Sequence, residues 1–101
     1  MKLHLTQTGP LPVDERVNID HFPFIMGRSS SCDYQVFHPM VSRKHCELIW
    51  SNAGVLIEDL HSSNGTYVNG HRVKNKEELH DGDEINLGCI SYRVTVAPST
   101  T

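Results

Sequence analysis

Apolar residues in this chain recur with a period of two in short runs, the signature of half-buried strands. Leu3 and Leu5 alternate with polar neighbours across residues 2–7, and Thr8-Gly9-Pro10 stops the run. Pro10, Pro12, Asp14 and Glu15 make a turn-rich link. Val17 and Ile19, then residues 22–26, predict two further strands, the second starting late because of Pro23. Gly27-Arg28 follows directly, residues 29–33 are a polar loop, and 34–37 predict a short strand that His38-Pro39 ends. Residues 42–50 predict a strand with Cys46, Leu48 and Trp50 on one face and Arg43, His45 and Glu47 on the other, so its beginning is basic and wet.

Residues 51–54 read as a hairpin connection into a strand over 55–59, where Val55 and Ile57 repeat the period. Tyr67-Val68, Arg72-Val73, 85–87 and 90–96 complete the strands. Residues 75–80 read as a charged link too short for an independent helix, and Asp81-Gly82 as another hairpin turn. Residues 97–101 are small and polar, like the start of a linker. The expected core includes Cys46, Leu48, Trp50, Val55, Ile57, Ile85 and Leu87, with 74–78 a solvated edge. Many short strands without sustained helical periodicity predict an all-β, two-sheet sandwich. Its loops cluster at the ends, so residues distant in sequence can converge on one rim.

At 101 residues the chain reads as one domain over 1–101, too small for a site between domains. A formal charge of -3 provides no global attraction for nucleic acid, so any anion must be recognised locally. Cys32, Cys46 and Cys89 are odd in number and widely spaced, which argues against a disulfide framework or zinc ribbon and for a reducing, cytoplasmic compartment. No apolar run reaches membrane-spanning length and the N-terminal residues lack a secretion signal. The sequon Asn64-Gly65-Thr66 would matter only in a secreted chain.

The densest chemistry lies in residues 59–70, where two Asn-Gly steps, hydroxyls and an amide sit between apolar runs. The chain is expected to reverse at Asn64-Gly65 and again at Asn69-Gly70, leaving Ser63 and Asn64 at a tip beside freed backbone N–H groups. Such a cluster of donors suits an anion, although an ordinary hairpin loop is also polar.

Gly27-Arg28 after a strand, Ser42-Arg43-x-His45 opening one, and Ser63-Asn64-Gly65-Thr66-x-Val68-Asn69-Gly70 on a turn together resemble the forkhead-associated (FHA) domain, a phosphothreonine-binding module. Leu79-x-Asp81-Gly82-Asp83-x-Ile85-x-Leu87-Gly88 extends the match, which runs from about 24 to 96. The resemblance implies an FHA/SMAD-like sandwich, typically of eleven strands, with a ligand held by loops at one end. It implies phosphate contacts from Arg28, Ser42, Arg43 and Ser63, and contact to the ligand backbone from Asn64. Gly27, His45, Gly65 and Asn69 would build the site without touching the ligand. Met40 and residues 70–73 would read the ligand residue three positions after the phosphothreonine, an apolar Met40 suiting an apolar side chain. The implied partner is a phosphothreonine protein or peptide, without cofactor, nucleic acid or membrane, bound by a module of a larger signalling or assembly protein in the cytoplasm, or in a eukaryote the nucleus.

Three rival readings fit the residues less well. A metal site lacks diagnostic spacing, since His45 and Cys46 should point to opposite faces of a strand and residues 81–84 lack a calcium ligand series. A hydrolase using Ser42 or Ser63 with His45 has no Gly-x-Ser-x-Gly elbow, and Ser42 would share a side with His45 only from a loop. A phosphate-independent scaffold has no need for Arg28, Ser42, Arg43, Ser63 and Asn64 together.

Overall fold

A computed structural model of the chain describes residues 2–9, 15–52 and 54–97. The link at 10–14 and the tail beyond 97 lie outside the described residues, as does Ala53 in the 51–54 connection. Eleven strands are present among the described residues: β1 (Lys2–Gly9), β2 (Arg16–Ile19), β3 (Phe24–Gly27), β4 (Tyr34–Gln35), β5 (Cys46–Ser51), β6 (Gly54–Asp59), β7 (Thr66–Val68), β8 (His71–Arg72), β9 (Lys76–Glu78), β10 (Glu84–Leu87) and β11 (Ile90–Ala97).

They form a six-stranded sheet in the order β2-β1-β11-β10-β7-β8 and a five-stranded sheet in the order β4-β3-β5-β6-β9. All pairings are antiparallel except β3 with β4. The inward residues alternate as the pattern predicts: Leu3 and Leu5, Val17 and Ile19, Leu48, Val55 and Ile57, Ile85 and Leu87, Tyr92 and Val94 are all buried. They fill the space between the sheets, and the apolar area removed from water there drives the fold. Pro23 sits just before β3, so that strand begins at Phe24.

Three expectations need correction. Trp50 is 55% exposed, because β5 runs out at that end of the sandwich and the ring lies instead against Phe22, with centroids 5.9 Å apart. His45 is wholly buried, because β5 starts only at Cys46 and alternation does not extend back to His45. The charged link is in part a strand, since Lys76–Glu78 pairs with β6 through Leu56↔Glu78, Ile57↔Glu77 and Glu58↔Lys76. As an edge strand β9 carries the predicted solvated charges.

Asn69-Gly70 does make the predicted reversal. Both residues have positive φ, 50° and 88°, and they close the β7–β8 hairpin. Asn64-Gly65 does not reverse the chain. Gly65 has a φ of 88°, but residues 60–65 carry the chain from β6 in one sheet to β7 in the other.

Candidate functional site

Three connections meet at one end of the sandwich: 28–33 after β3, 36–45 before β5, and 60–65 between the sheets. The first two are joined along their backbones. Arg28 N donates to Ser42 O at 2.9 Å, and Ser29 N donates to Arg43 O at 3.0 Å. Gly27 makes this contact sterically feasible, because a Cβ there would stand 2.3 Å from Arg43 O. The connection to the third loop runs through His45, Ser42 and Asn64. Ser42 N donates to His45 Nδ1 at 3.0 Å, so the neutral ring carries its proton on Nε2 and donates it to Gly65 O at 2.8 Å. Burial holds the His45 pKa below its ordinary value, which keeps that ring neutral. Ser63 N donates to Ser42 Oγ at 3.0 Å, and Asn64 Nδ2 donates to Met40 O at 2.7 Å.

A second layer holds the third loop from below. Asp59 Oδ1 accepts from Ser62 Oγ at 2.6 Å and from Thr66 Oγ1 at 2.7 Å, and Ser62 Oγ in turn accepts from Gly65 N at 3.0 Å. Burial alone would raise the Asp59 carboxyl, but the bonds from Ser62 and Thr66 outweigh it and hold its pKa below the ordinary range. Asp59 therefore stays an acceptor at neutral pH.

The result is a polar hollow of about 250 Å³ lined by Arg28, Met40, Ser42, Arg43, Ser63 and Asn64, together with Pro39 and Val41. The five predicted ligand-contacting residues thus come together. Arg28 Nε donates to Val41 O at 3.0 Å, which fixes the guanidinium plane and keeps the Nη groups as donors for a ligand. Two guanidiniums, two hydroxyls and a carboxamide can grip an anion with several charge-assisted bonds. Asn69, by contrast, stands outside the hollow: its carboxamide donates to Asp83 Oδ1 and accepts from Glu84 N, both at 3.0 Å, tying the hairpin to β10.

Met40 also borders a neighbouring, mainly apolar hollow of about 350 Å³ shared with Asn64, Tyr67, Gly70, Asn86, Gly88 and Cys89. Of the predicted segment 70–73, only Gly70 lines it, while Val73 is buried in the core. Sequence reasoning missed Tyr67, Asn86, Gly88 and Cys89. Tyr67 and Asn86 face each other across β7 and β10, and the outward phase of those strands could have pointed to them. Among the described residues, no three His, Cys, Asp or Glu side chains gather as metal ligands.

A rigid all-β sandwich with two guanidiniums, two hydroxyls and a carboxamide at one rim can hold an anion there. The FHA domain profile matches residues 24–88, and the chain belongs to that family. It is 41% identical over 64 residues to the FHA domain-containing protein FhaA of Mycobacterium tuberculosis, an alignment covering 63% of this chain and 12% of FhaA. An FHA domain solved in a structural and functional study of phosphothreonine-dependent FHA domain interactions superposes with a TM-score of 0.87 at 29% identity, covering 98% of this chain and 100% of that one. The FhaA FHA domain in complex with the intracellular domain of Rv3910 superposes with a TM-score of 0.80 at 30% identity, covering 91% and 98%.

Proposed function

We propose that the domain binds proteins or peptides phosphorylated on threonine, with Arg28, Ser42, Arg43 and Ser63 on the phosphate and Asn64 on the ligand backbone. The observation that carries this reading is the single hollow lined by all five side chains, with Arg28 oriented through Val41 O. Gly27, His45, Gly65 and Asn69 shape the site. Met40 and the apolar hollow beside it read a flanking ligand residue and favour an apolar one, since a carboxylate desolvated against Met40 would lack a partner.

The domain is a reader and does not turn its ligand over. His45 Nδ1 accepts from the backbone of Ser42, while Ser42 Oγ accepts from Ser63 N, so the two side chains do not form a nucleophile–base pair. Residues 1–101 act as one module of a longer signalling or assembly protein, working without a cofactor in the cytoplasm or nucleus. Among the described residues, Cys32, Cys46 and Cys89 are free thiols, which suits such a compartment.

The test is titration of a degenerate phosphothreonine library, with matched phosphoserine and unphosphorylated libraries, against wild type and Arg28→Ala. Charge-assisted bonds contribute about 1.5–3 kcal/mol each, so Arg28→Ala should weaken phosphothreonine binding tenfold or more. Equal binding of phosphorylated and unphosphorylated peptides would make the domain a phosphate-independent scaffold.

A further inference from the structure

Phe37 stands 82% exposed on the loop that leads into the phosphate hollow. Its exposure is imposed by its surroundings. Val36 N donates to Gly27 O at 2.7 Å and the Val36 side chain is buried, so the next residue faces outward. Val41 N donates to His38 O at 3.0 Å, and Met40 N to His38 Nδ1 at 3.1 Å, which holds the loop rigid beyond Phe37. A large ring is thus held in water by a well-bonded backbone.

The ring borders a hollow of about 560 Å³ lined by Arg28, Gln35, Phe37, His38 and Pro39. Arg28 and Pro39 also line the phosphate hollow, which shares Met40 and Asn64 with the apolar hollow beyond it. The three hollows therefore adjoin one another at this end of the sandwich, and His38 Nε2 of the Phe37 hollow lies 3.4 Å from Cys89 Sγ of the apolar one. Several polar groups on the Phe37 side are tied to the loops themselves: Gln35 Nε2 donates to Arg28 O at 3.1 Å, His38 Nδ1 accepts from Met40 N, and Arg28 Nε donates to Val41 O. The Phe37 and Pro39 rings give the hollow its apolar surface.

We propose that Phe37 is a specificity residue of this groove. It receives an apolar side chain of the phosphopeptide near the phosphothreonine, a different side chain from the one that enters the Met40–Cys89 hollow. This inference rests on the phosphothreonine reading above. A preformed, rigid aromatic anchor loses little conformational entropy on binding, which suits it to discriminate side chains.

The experiment scans Leu, Ala and Asp through the three positions on each side of a phosphothreonine, measuring affinity by fluorescence anisotropy for wild type, Phe37→Ser and Phe37→Leu. On one flank Leu should bind about fivefold to tenfold more tightly than Ala, the effect of burying roughly half a leucine side chain. Phe37→Ser should reduce that ratio to within about twofold, Phe37→Leu should keep part of it, and preferences at the other positions should change by less than that. A ratio that survives Phe37→Ser, a preference for Asp, or an equal loss for every peptide overturns the proposal. So does a wild-type dimer that Phe37→Ser makes monomeric in sedimentation, since the ring would then serve self-association. Unphosphorylated peptides run in parallel separate this outcome from failure of the phosphothreonine reading. If they bind as well as phosphorylated ones, that reading falls and the proposal with it.

Discussion

Replacing His45 by alanine tests whether the ring holds the binding loops together. The imidazole is fully buried and makes two bonds, accepting from Ser42 N and donating to Gly65 O. Its removal leaves both backbone groups without their partner, at about 1–3 kcal/mol each, so the expected loss of stability is about 2–6 kcal/mol. Against the 5–15 kcal/mol typical of a domain, that is a large share. Urea unfolding followed by the single tryptophan measures it. Trp50 lies at the far end of β5 from the site, so it reports global unfolding rather than loosening of the loops. With a slope of about 1–3 kcal/mol per molar urea, the midpoint should fall by at least about 0.7 M. His45→Gln should recover part of the loss.

The pH dependence gives a second readout with a fixed sign. Burial depresses the folded-state pKa of His45 below the ordinary 6.5, so the unfolded chain takes up a proton that the fold refuses. The stabilisation is present above pH 6.5 and is lost as pH falls toward the depressed value, by up to about 1.4 kcal/mol per pH unit. The alanine variant lacks this titration, so its deficit against wild type should shrink on acidification. A stability loss under about 1 kcal/mol, or a deficit that stays constant between neutral and acid pH, would refute the linkage role.

Other perturbations reach separate parts of the structure. Gly27→Ala drives a Cβ into Arg43 O, so calorimetry should show a loss of at least about 1–3 kcal/mol, with weakened phosphopeptide binding as the 28–33 and 36–45 connections separate. Glu47 lies directly opposite Glu58 on β5 and β6, and burial together with Glu58 raises its pKa. Glu47→Gln should therefore stabilise the domain by about 0.2–1 kcal/mol at neutral pH, a gain that disappears in acid once wild-type Glu47 is protonated. His21 has the opposite sign to His45: bonds to Asp33 and Asp20 raise its pKa. Its stabilisation is present below 6.5 and lost as pH rises through the raised value, so His21→Gln should flatten that limb of the denaturation profile.

The strands that bury one face were legible in the sequence because their alternation is a direct image of that burial. β9 was not, since Lys76–Glu78 pairs with β6 but is charged at every position and carries no apolar signal. The placements of His45 and Trp50 failed for a related reason. Alternation holds in the middle of β5 but not at its ends, where the chain enters from a loop at His45 and leaves Trp50 exposed against Phe22. Asn64-Gly65 reads like a hairpin because the same backbone freedom serves a crossing between sheets. The five residues of the polar hollow were marked by their motifs. The roles of Asp59, Ser62 and Thr66 were not, although Thr66 stands in the motif, because a hydroxyl–carboxylate knot has meaning only once the chain has folded around it.

The pairing of β1 with β11 limits which phosphothreonines the groove can reach. Cys89 borders the apolar hollow, and β11 then runs eight residues away from it to Ala97, which faces Lys2. At about 3.3 Å per residue, the two flanking attachment points stand roughly 23 Å from the rim. A phosphorylated residue in the following sequence must therefore lie at least about seven extended residues past Ala97 to enter the groove of its own copy.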